Sequence, residues 1–300
     1  MNANDDTFSL QRLSDALAEI VATAAAATVT VNARRRLPAT GVVLGSGVIA
    51  TADHVIERDE EITITLPDGT TAPATLAGRD PGTDLAALRT TVPLPAPLPE
   101  GPLPRVGSLV LAIGRATGIG ASLGLVNAVG GPLQTRRGGR IDEIIHADVT
   151  LYPGFSGGPL VDASGRLVGI NTSGAWGNAS VTLPIGVVKR VVGTLLEHGK
   201  MRRGFLGIAT QSVALNEALA AQLDGQRSGL LIVSVESGGP AERAGVMVGD
   251  ILVRFAGEPV ARTGDLQRLL ATAAPGSEAS LTILRGGQRR DLVATLGERP

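Results

Sequence analysis

The sequence predicts a mainly β protein made of two small antiparallel barrels and a smaller C-terminal α+β domain. Its 300 residues are more than one small domain needs. The 40 glycines and 18 prolines favour many turns between short strands over long helices. Between about residues 28 and 185, short apolar runs alternate with Gly, Pro, Asp and Asn, which is typical of strands joined by turns. Residues 204–300 show a separate pattern of strands and helices, so two domains are expected.

Two barrels are predicted because a proline-rich segment divides the β region into halves of similar strand count. Residues 93–104 carry six prolines, and so dense a run cannot lie inside a sheet. We expect this segment to be an extended connector. The runs predicted as strands are residues 42–51, 62–66, 85–89, 108–113, 123–129, 141–149, 167–171 and 180–183.

Helices and a linker are predicted around the barrels. Apolar residues at helical spacing predict an amphipathic helix over 9–24 that leads into a strand, with a disordered tail over 1–9. Residues 186–198 place valines and leucines on one helical face, and Gly199 ends that helix. We therefore expect one domain over 10–198, a basic linker over 199–203 and a second domain over 204–300.

The composition excludes several classes of function. The formal net charge of −1 lacks the basic excess of a nucleic-acid-binding protein. The absence of cysteine excludes disulfides, thiol catalysis and cysteine-ligated zinc, and three dispersed histidines leave little for a metal site. No Gly-x4-Gly-Lys-Ser/Thr phosphate-binding loop occurs, so no metal or nucleotide cofactor is expected.

The first residues carry no pattern of a targeting signal. They are acidic where an export signal starts with basic residues, and the apolar stretch 20–31 is shorter than a membrane span. From these residues alone, the expectation is a cytoplasmic location and no integral membrane segment.

A serine, a histidine and an aspartate lie in segments that suit nucleophilic catalysis. Ser156 stands among glycines in GFSGGP, where small neighbours let a substrate backbone approach and let N–H groups face an oxyanion. His54 ends the apolar run GSGVIATADHV, and Asp84 precedes another in DPGTDLAALR. Serine needs a base to accept its proton, and the base needs a carboxylate to hold its tautomer. The three residues supply one of each.

A Gly-x-Ser-x-Gly segment also occurs in α/β-hydrolases, but its context differs there. That fold requires a helix directly after the serine and the chain order serine, acid, histidine. Here Gly-Gly-Pro follows Ser156, then a strand–turn–strand pattern over 160–168, and the order is histidine, aspartate, serine. The remaining histidines, His146 and His198, are interpreted as structural.

These motifs together resemble those of the HtrA/Deg family of serine proteases. The segments that carry the resemblance are GSGVIATADHV, DPGTDLAALR, GFSGGPLVDASGRLVGINT and GPAERAGVMVGDILVRFAGEPV. The resemblance covers nearly the whole chain and implies a chymotrypsin-like domain of two six-stranded β-barrels, followed by one α+β PDZ domain. It implies His54 as general base, Asp84 as its orienting partner and Ser156 as nucleophile. Backbone N–H groups of Gly154 and Ser156 would form the oxyanion hole.

The same resemblance assigns peptide binding to the second domain. Phe205, Leu206, Gly207 and Ile208 match the PDZ loop whose N–H groups bind a chain terminus, and the following strand offers an edge for an extended peptide. The helix near 264–273 would form the other wall of the groove, with apolar candidates Leu266, Leu269 and Leu270. Strands of this domain are predicted near 206–211, 229–235, 250–256, 279–285 and 290–296, with a further helix near 240–244.

Four departures from the family pattern lie near the predicted site. Phe155 replaces the asparagine that the family has before its serine, and Arg115-Ala116 replaces Asn-Pro. The loop over 33–40 is short where cage-forming members have a long insertion. Thr150, six residues before Ser156, is not an acid, so we expect an apolar specificity pocket that prefers small aliphatic side chains.

Three functions are consistent with these motifs. A serine endopeptidase would degrade unfolded or damaged proteins, with its PDZ domain binding C-terminal or extended peptides. A catalytically silent chaperone or peptide-binding scaffold would have the same fold, and a small-ester hydrolase is a third interpretation. The complete triad favours the endopeptidase. The resemblance also implies a homotrimer formed through the N-terminal part of the protease domain, and a mostly exported location.

Overall fold

The chain divides into two compact units, and the boundary falls after Met201. The computed structural model describes residues 9–134, 140–173, 181–201 and 203–298. Residues 1–8 of the predicted tail and position 202 of the predicted linker lie outside this description. The domain limits 10–198 and 204–300 remain our proposals.

Six strands of the first unit close into a barrel in the order β1-β2-β3-β6-β5-β4. They are rich in Val, Ile, Thr and Ala, whose side chains fit a pleated, half-buried surface, and the barrel interior is aliphatic. The strands are β1 (Thr28–Asn32), β2 (Ala39–Gly45), β3 (Val48–Ala52), β4 (Ile62–Thr65), β5 (Thr71–Asp80) and β6 (Leu85–Arg89). Strand β5 was not predicted, because Pro73 and its small residues weaken the strand pattern.

Six further strands of the same unit close into a second barrel, in the order β11-β14-β13-β12-β7-β8. The predicted run 141–149 is instead divided between two short strands. The strands of this region are β7 (Leu109–Arg115), β8 (Ile119–Gly130), β9 (Leu133–Gln134), β10 (Arg140–Ile141), β11 (Ile144–Ala147), β12 (Pro159–Asp162), β13 (Leu167–Thr172) and β14 (Val181–Pro184). The predicted fold of two six-stranded barrels is thus confirmed.

Helices and a connector complete the first unit. Helix α1 (Leu10–Ala26) packs its second half on the core, whereas the side chain of Leu10 is 77% exposed, so the predicted apolar face is only partly used. Helix α2 (Ile185–His198) ends at Gly199, whose φ is +75°. The proline-rich connector lies outside the helices and regular strands, and it pairs with β13 through the Leu167 N–H and the Pro99 carbonyl.

The second unit is an antiparallel sheet in the order β16-β17-β18-β20-β21, packed with helices on an apolar core. The predicted α+β class is confirmed, and one short helix, α3, was not predicted. The strands are β15 (Gly204–Phe205), β16 (Ile208–Ala214), β17 (Ser228–Val235), β18 (Ile251–Phe255), β19 (Glu258–Pro259), β20 (Glu278–Arg285), β21 (Gln288–Thr295) and β22 (Gly297–Glu298). The helices are α3 (Glu217–Ala221), α4 (Pro240–Arg243) and α5 (Thr263–Thr272).

An ion pair between a buried carboxylate and a partly exposed arginine stabilises this second unit. Asp250 is 1% exposed, and both its carboxylate oxygens accept hydrogen bonds of 2.8 Å from Arg285. Burial raises the pKa of Asp250, but the bonds from Arg285 and from the Met247 N–H outweigh it and leave the pKa below its usual value. A lowered carboxyl pKa stabilises the fold above the ordinary aspartate range, and this contribution is lost as the pH falls through the lowered pKa.

Replacement of this carboxylate should therefore destabilise the second unit. We expect Asp250→Asn to lower its free energy of unfolding by roughly 1.5–3 kcal/mol, the range typical of hydrogen bonds to charged groups. Amide hydrogen exchange of β18 and β20 measures the effect. Asp224→Asn is the matched control, because Asp224 pairs with Arg254 while 90% exposed. Equal effects of the two substitutions would contradict the assignment.

Candidate active site

The imidazole of His54 and the carboxylate of Asp84 are brought together by the pairing of β3 with β6. Ala52 at the end of β3 lies opposite Leu85 at the start of β6, so the residues just beyond these strand ends are neighbours. His54, in a short 3-10 helix, places its Nδ1 atom 2.8 Å from Asp84 Oδ2, and its backbone N–H donates to Oδ1 over 2.9 Å. The carboxylate thus holds both the ring and the backbone of the histidine.

The turn that carries Asp84 is fixed by a second carboxylate. Asp80 accepts hydrogen bonds from the Gly82 N–H and from the backbone and hydroxyl of Thr83, which closes the segment DPGTD into a tight turn. Asp84 itself has a φ of +57°, and it is 2% exposed. Thr172, at the end of β13, donates its hydroxyl to Asp84 Oδ2. This threonine was not predicted as a site residue.

Ser156 follows a tight turn formed by Tyr152, Pro153, Gly154 and Phe155. The Phe155 N–H donates to the Tyr152 carbonyl over 3.0 Å, and Gly154 has a φ of +90°. Proline second and a glycine of positive φ third are typical of a type II turn. Among the described residues, the N–H groups of Gly154 and Ser156 donate to no acceptor, so both are available to a ligand.

Only glycine fits at position 154. A Cβ atom there would lie 2.3 Å from the Cβ of Ala116 and 3.1 Å from the Pro38 carbonyl oxygen. Gly157, with a φ of +84°, is similarly enclosed, because a Cβ would meet the Thr40 carbonyl at 2.1 Å. The glycines around Ser156 are therefore required by close packing as well as by backbone conformation.

A hydrogen-bond relay holds the turn of residues 152–155, the oxyanion turn, from behind. Thr40 donates its hydroxyl to the Gly154 carbonyl over 2.7 Å and its N–H to the Ser156 carbonyl over 3.3 Å. The same hydroxyl accepts the Arg115 N–H at 2.7 Å. The Arg115 guanidinium binds the Thr28 hydroxyl and the Ala25 carbonyl at the end of α1. Burial lowers the pKa of Arg115, and its position at a helix C-terminus suits a cation.

The family departure at Phe155 is accommodated by glycines on the facing hairpin. The ring is 5% exposed, and a Cβ on Gly114 or Gly120 would lie 2.2 or 3.0 Å from ring atoms. Its centroid is 5.4 Å from that of Tyr152, in an edge-to-face arrangement. The bulky ring thus fills the space that two glycines leave open and does not displace the oxyanion turn.

The Ser156 hydroxyl shares a cleft with His54 but bonds to another residue. The cleft has a volume of about 540 Å³, and both residues line it together with Ser173. Ser156 Oγ lies 3.0 Å from Ser173 Oγ, and no hydrogen bond joins Ser156 to His54 in the described part of the chain. Catalytic hydrogen bonds are often incomplete before substrate binds, and rotation about χ1 of Ser156 can redirect its hydroxyl.

The four predicted peptide-binding residues lie at a groove in the second unit. Phe205, Leu206, Gly207 and Ile208 line a cavity of about 280 Å³ between β16, which is an edge strand, and α5. Gly207 has a φ of +75°. Of the helix leucines, Leu266 and Leu270 line the groove, whereas Leu269 packs in the core.

The other two histidines lie away from both sites. His146 is in β11, and His198 lies at the end of α2 near Glu197. Within the described ranges, no cluster of His, Asp or Glu has the arrangement of a metal site.

Two family models match the two units. Residues 39–170 match the trypsin-like peptidase domain, and residues 204–296 match the PDZ domain. A probable periplasmic serine endoprotease DegP-like from Pseudomonas savastanoi is 36% identical over 268 residues, 86% of this chain and 55% of the relative. The Brucella suis protein of the same name is 33% identical over 270 residues, with shares of 86% and 52%. The chain spans about half the length of these curated relatives.

These names correct the expected location. The expectation of a cytoplasmic location is wrong, because the curated relatives are named periplasmic proteins. Their names point to an exported location. The cytoplasmic expectation rested on the charge of the first residues, which is weak evidence of location. In the part of the chain that the structure describes, no helix combines the length and apolar character needed to cross a bilayer.

Solved structures match over almost the whole chain. A serine endoprotease from Yersinia pestis is 29% identical with a TM-score of 0.72, over 94% of this chain and 98% of the other. The HtrA-type protease AlgW, solved with a tripeptide, is 32% identical with a TM-score of 0.70, over 94% and 97%. With this identity, coverage and shared architecture, the chain belongs to the HtrA-type protease family.

Proposed function

We propose that this chain is a serine endopeptidase that cleaves unfolded or damaged proteins, with His54, Asp84 and Ser156 as its catalytic residues. The observation that carries the proposal is the 2.8 Å contact of His54 Nδ1 with Asp84 Oδ2 beside a serine in the same cleft. An imidazole oriented by a buried carboxylate is the arrangement that activates a serine hydroxyl. Family membership supports the same reaction class.

The first half of the reaction forms an acyl-enzyme. The Ser156 hydroxyl turns from Ser173 toward His54, its oxygen attacks the scissile carbonyl carbon, and His54 Nε2 accepts its proton. Asp84 holds the opposite ring nitrogen and stabilises the imidazolium. The tetrahedral intermediate collapses, the C–N bond breaks, and His54 gives the proton to the leaving amine.

The second half of the reaction returns the serine. Water donates a proton to His54 and attacks the ester carbon, and the carboxylic acid product leaves as Ser156 regains its proton. In both halves, the N–H groups of Gly154 and Ser156 stabilise the oxyanion. One such donor typically contributes about 2.7–4 kcal/mol to transition-state stabilisation.

Substrate selection is proposed from the groups near the site. Thr150 supplies no carboxylate for a basic side chain, which supports a pocket for small aliphatic residues before the cleaved bond. The groove around Gly207 is proposed to bind the C-terminus or an extended segment of a peptide, as an edge strand and an N–H loop permit. The AlgW structures solved with a tripeptide and with a decapeptide support a peptide ligand.

A homotrimer formed through the N-terminal part of the protease domain is proposed from the family. Helix α1 leaves Leu10 and Leu13 exposed on its first half, by 77% and 36%. Exposed leucines on a helix of this region are suited to contact with another copy of the chain.

Substitution of the proposed nucleophile tests the main proposal. Ser156→Ala should abolish cleavage of unfolded casein, because no oxygen remains to form the acyl-enzyme, and Asp84→Asn should lower kcat by roughly 10³–10⁴ through the wrong imidazole tautomer. Ser164→Ala, at an exposed serine, is the matched control. Casein cleavage that persists in Ser156→Ala would refute the assignment. Binding of casein without cleavage by the wild type would favour the silent scaffold.

The relay behind the oxyanion turn should act on kcat. Arg115→Ala removes the guanidinium that ties this turn to the end of α1, so we expect a roughly tenfold lower kcat, a fraction of one oxyanion donor, with KM within about twofold. Arg115→Lys should restore part of the rate, since it keeps one cationic donor. Steady-state kinetics on a short peptide measure both constants. Arg105→Ala, an exposed residue, is the control, and an unchanged kcat in Arg115→Ala would contradict the positioning role.

Peptide binding by the second domain should depend on Gly207. Gly207→Ala places a Cβ 3.3 Å from the Glu236 Cβ at a φ of +75°, so the N–H loop must shift, and affinity for a free C-terminal carboxylate should fall roughly tenfold or more. Fluorescence anisotropy with a labelled peptide measures the dissociation constant. Gly225→Ala imposes the same strain, at a φ of +83°, in open space outside the groove. Equal losses in the two variants would indicate unfolding and not a binding role.

A further inference from the structure

Three consecutive arginines line the same cleft as His54 and Ser156. Arg34, Arg35 and Arg36 lie between β1 and β2, in residues 33–38, which we name the arginine loop. The reaction derived above uses none of them. Three adjacent cations in the same cleft are therefore candidates for a role in substrate binding.

The arginine loop is held against both halves of the site. Its Pro38 carbonyl oxygen lies 3.1 Å from the position that a Cβ on Gly154 would occupy, so the loop borders the oxyanion turn. On the histidine side, the Glu57 N–H donates to the Ala33 carbonyl over 3.0 Å. Because the loop is in contact with the rest of the site at both ends, its three arginines are held beside the cleft.

The three arginines differ in what they bond to. Arg34 donates from its guanidinium to the Leu37 and Pro38 carbonyls and so shapes the loop itself. Arg35 and Arg36 are exposed, and neither guanidinium forms an ion pair with any residue that the structure describes. These two side chains are therefore open to a carboxylate from outside.

The charge of the cleft is unbalanced. Glu57 is the one carboxylate among its described lining residues, and its Oε2 accepts the Arg35 backbone N–H at 3.4 Å. The lining thus holds three guanidinium groups and one carboxylate. A concave site lined by one sign of charge raises the local concentration of ligands of the opposite sign.

We propose that the arginine loop is a specificity site for acidic side chains of the substrate, on the leaving-group side of the scissile bond. The proposal rests on the proposed endopeptidase activity. His54 gives its proton to the leaving amine, so the leaving segment passes the histidine, and the loop is joined to the chain just after His54. Guanidinium groups bind carboxylates through paired hydrogen bonds, which favours Asp and Glu over neutral residues.

Three matched fluorogenic peptides test this specificity. They share one scissile bond and differ only at three positions that flank it. The first peptide has Gln throughout, the second has Glu on the leaving side, and the third has Glu on the acyl side. We expect kcat/KM of the wild type to be roughly three- to tenfold higher for Glu on the leaving side, the range that one or two exposed ion pairs supply. Raising the salt from about 0.02 M to about 0.5 M should reduce this preference to within about twofold, because the charges are exposed.

Substitutions in the loop assign the preference to its arginines. Arg35→Gln/Arg36→Gln should remove the preference for acidic peptides, while Arg34 is kept because it shapes the loop. Arg35→Glu/Arg36→Glu should reverse the preference toward a fourth matched peptide, with Lys on the leaving side, which a folding defect would not do. Arg89→Gln/Arg105→Gln removes the same charge from exposed positions outside the cleft and should keep the preference.

The outcomes separate this inference from the proposed function. Cleavage of all three peptides at equal rates by the wild type would overturn the specificity site and leave the endopeptidase standing. The same would follow if the preference survived in Arg35→Gln/Arg36→Gln, or if it appeared for Glu on the acyl side. Failure to cleave any peptide would overturn both proposals.

Discussion

The antiparallel pairing of β3 with β6 is the constraint on which the rest of the site depends. Its register brings His54 and Asp84 to adjacent strand ends, and it leaves the carboxylate 2% exposed. A charge so deeply buried is stable only when its oxygens are hydrogen-bonded. The backbone and ring of His54 and the Thr172 hydroxyl supply those bonds. The same contacts that stabilise the fold therefore orient the imidazole.

The two barrels contribute different parts of one site. The first barrel carries His54 and Asp84, the proposed base and its carboxylate, and the second carries Ser156 and the oxyanion turn. Thr40 of the first barrel bonds to the backbone on both sides of Phe155, so the barrels are joined directly beside the proposed oxyanion hole. A displacement of either barrel would change the proposed oxyanion hole and the distance from His54 to Ser156 together.

The parts of the fold and the site that could be predicted from the sequence are those that depend on local patterns. The contact of His54 with Asp84 and most strands follow from patterns within short segments. The relay through Thr40 and Arg115 joins residues 75 positions apart, and Thr172 reaches Asp84 across 88 positions, so no local pattern indicates either contact. The space for the bulky Phe155 ring is likewise provided by glycines on a hairpin far from it in sequence.

The bond between Ser156 and Ser173 raises the question of how far this site is from a reactive arrangement. Exchanging one neutral hydrogen bond for another changes the free energy by about 1 kcal/mol or less, and a χ1 rotation requires no backbone movement. The oxyanion turn is different, since it depends on the positive φ of Gly154, on packing against Ala116 and on the relay. Rebuilding it would require a change of backbone conformation. The part of the proposed site that depends on backbone conformation is therefore already formed, whereas the contact of Ser156 with His54 that we propose depends on a side-chain rotation.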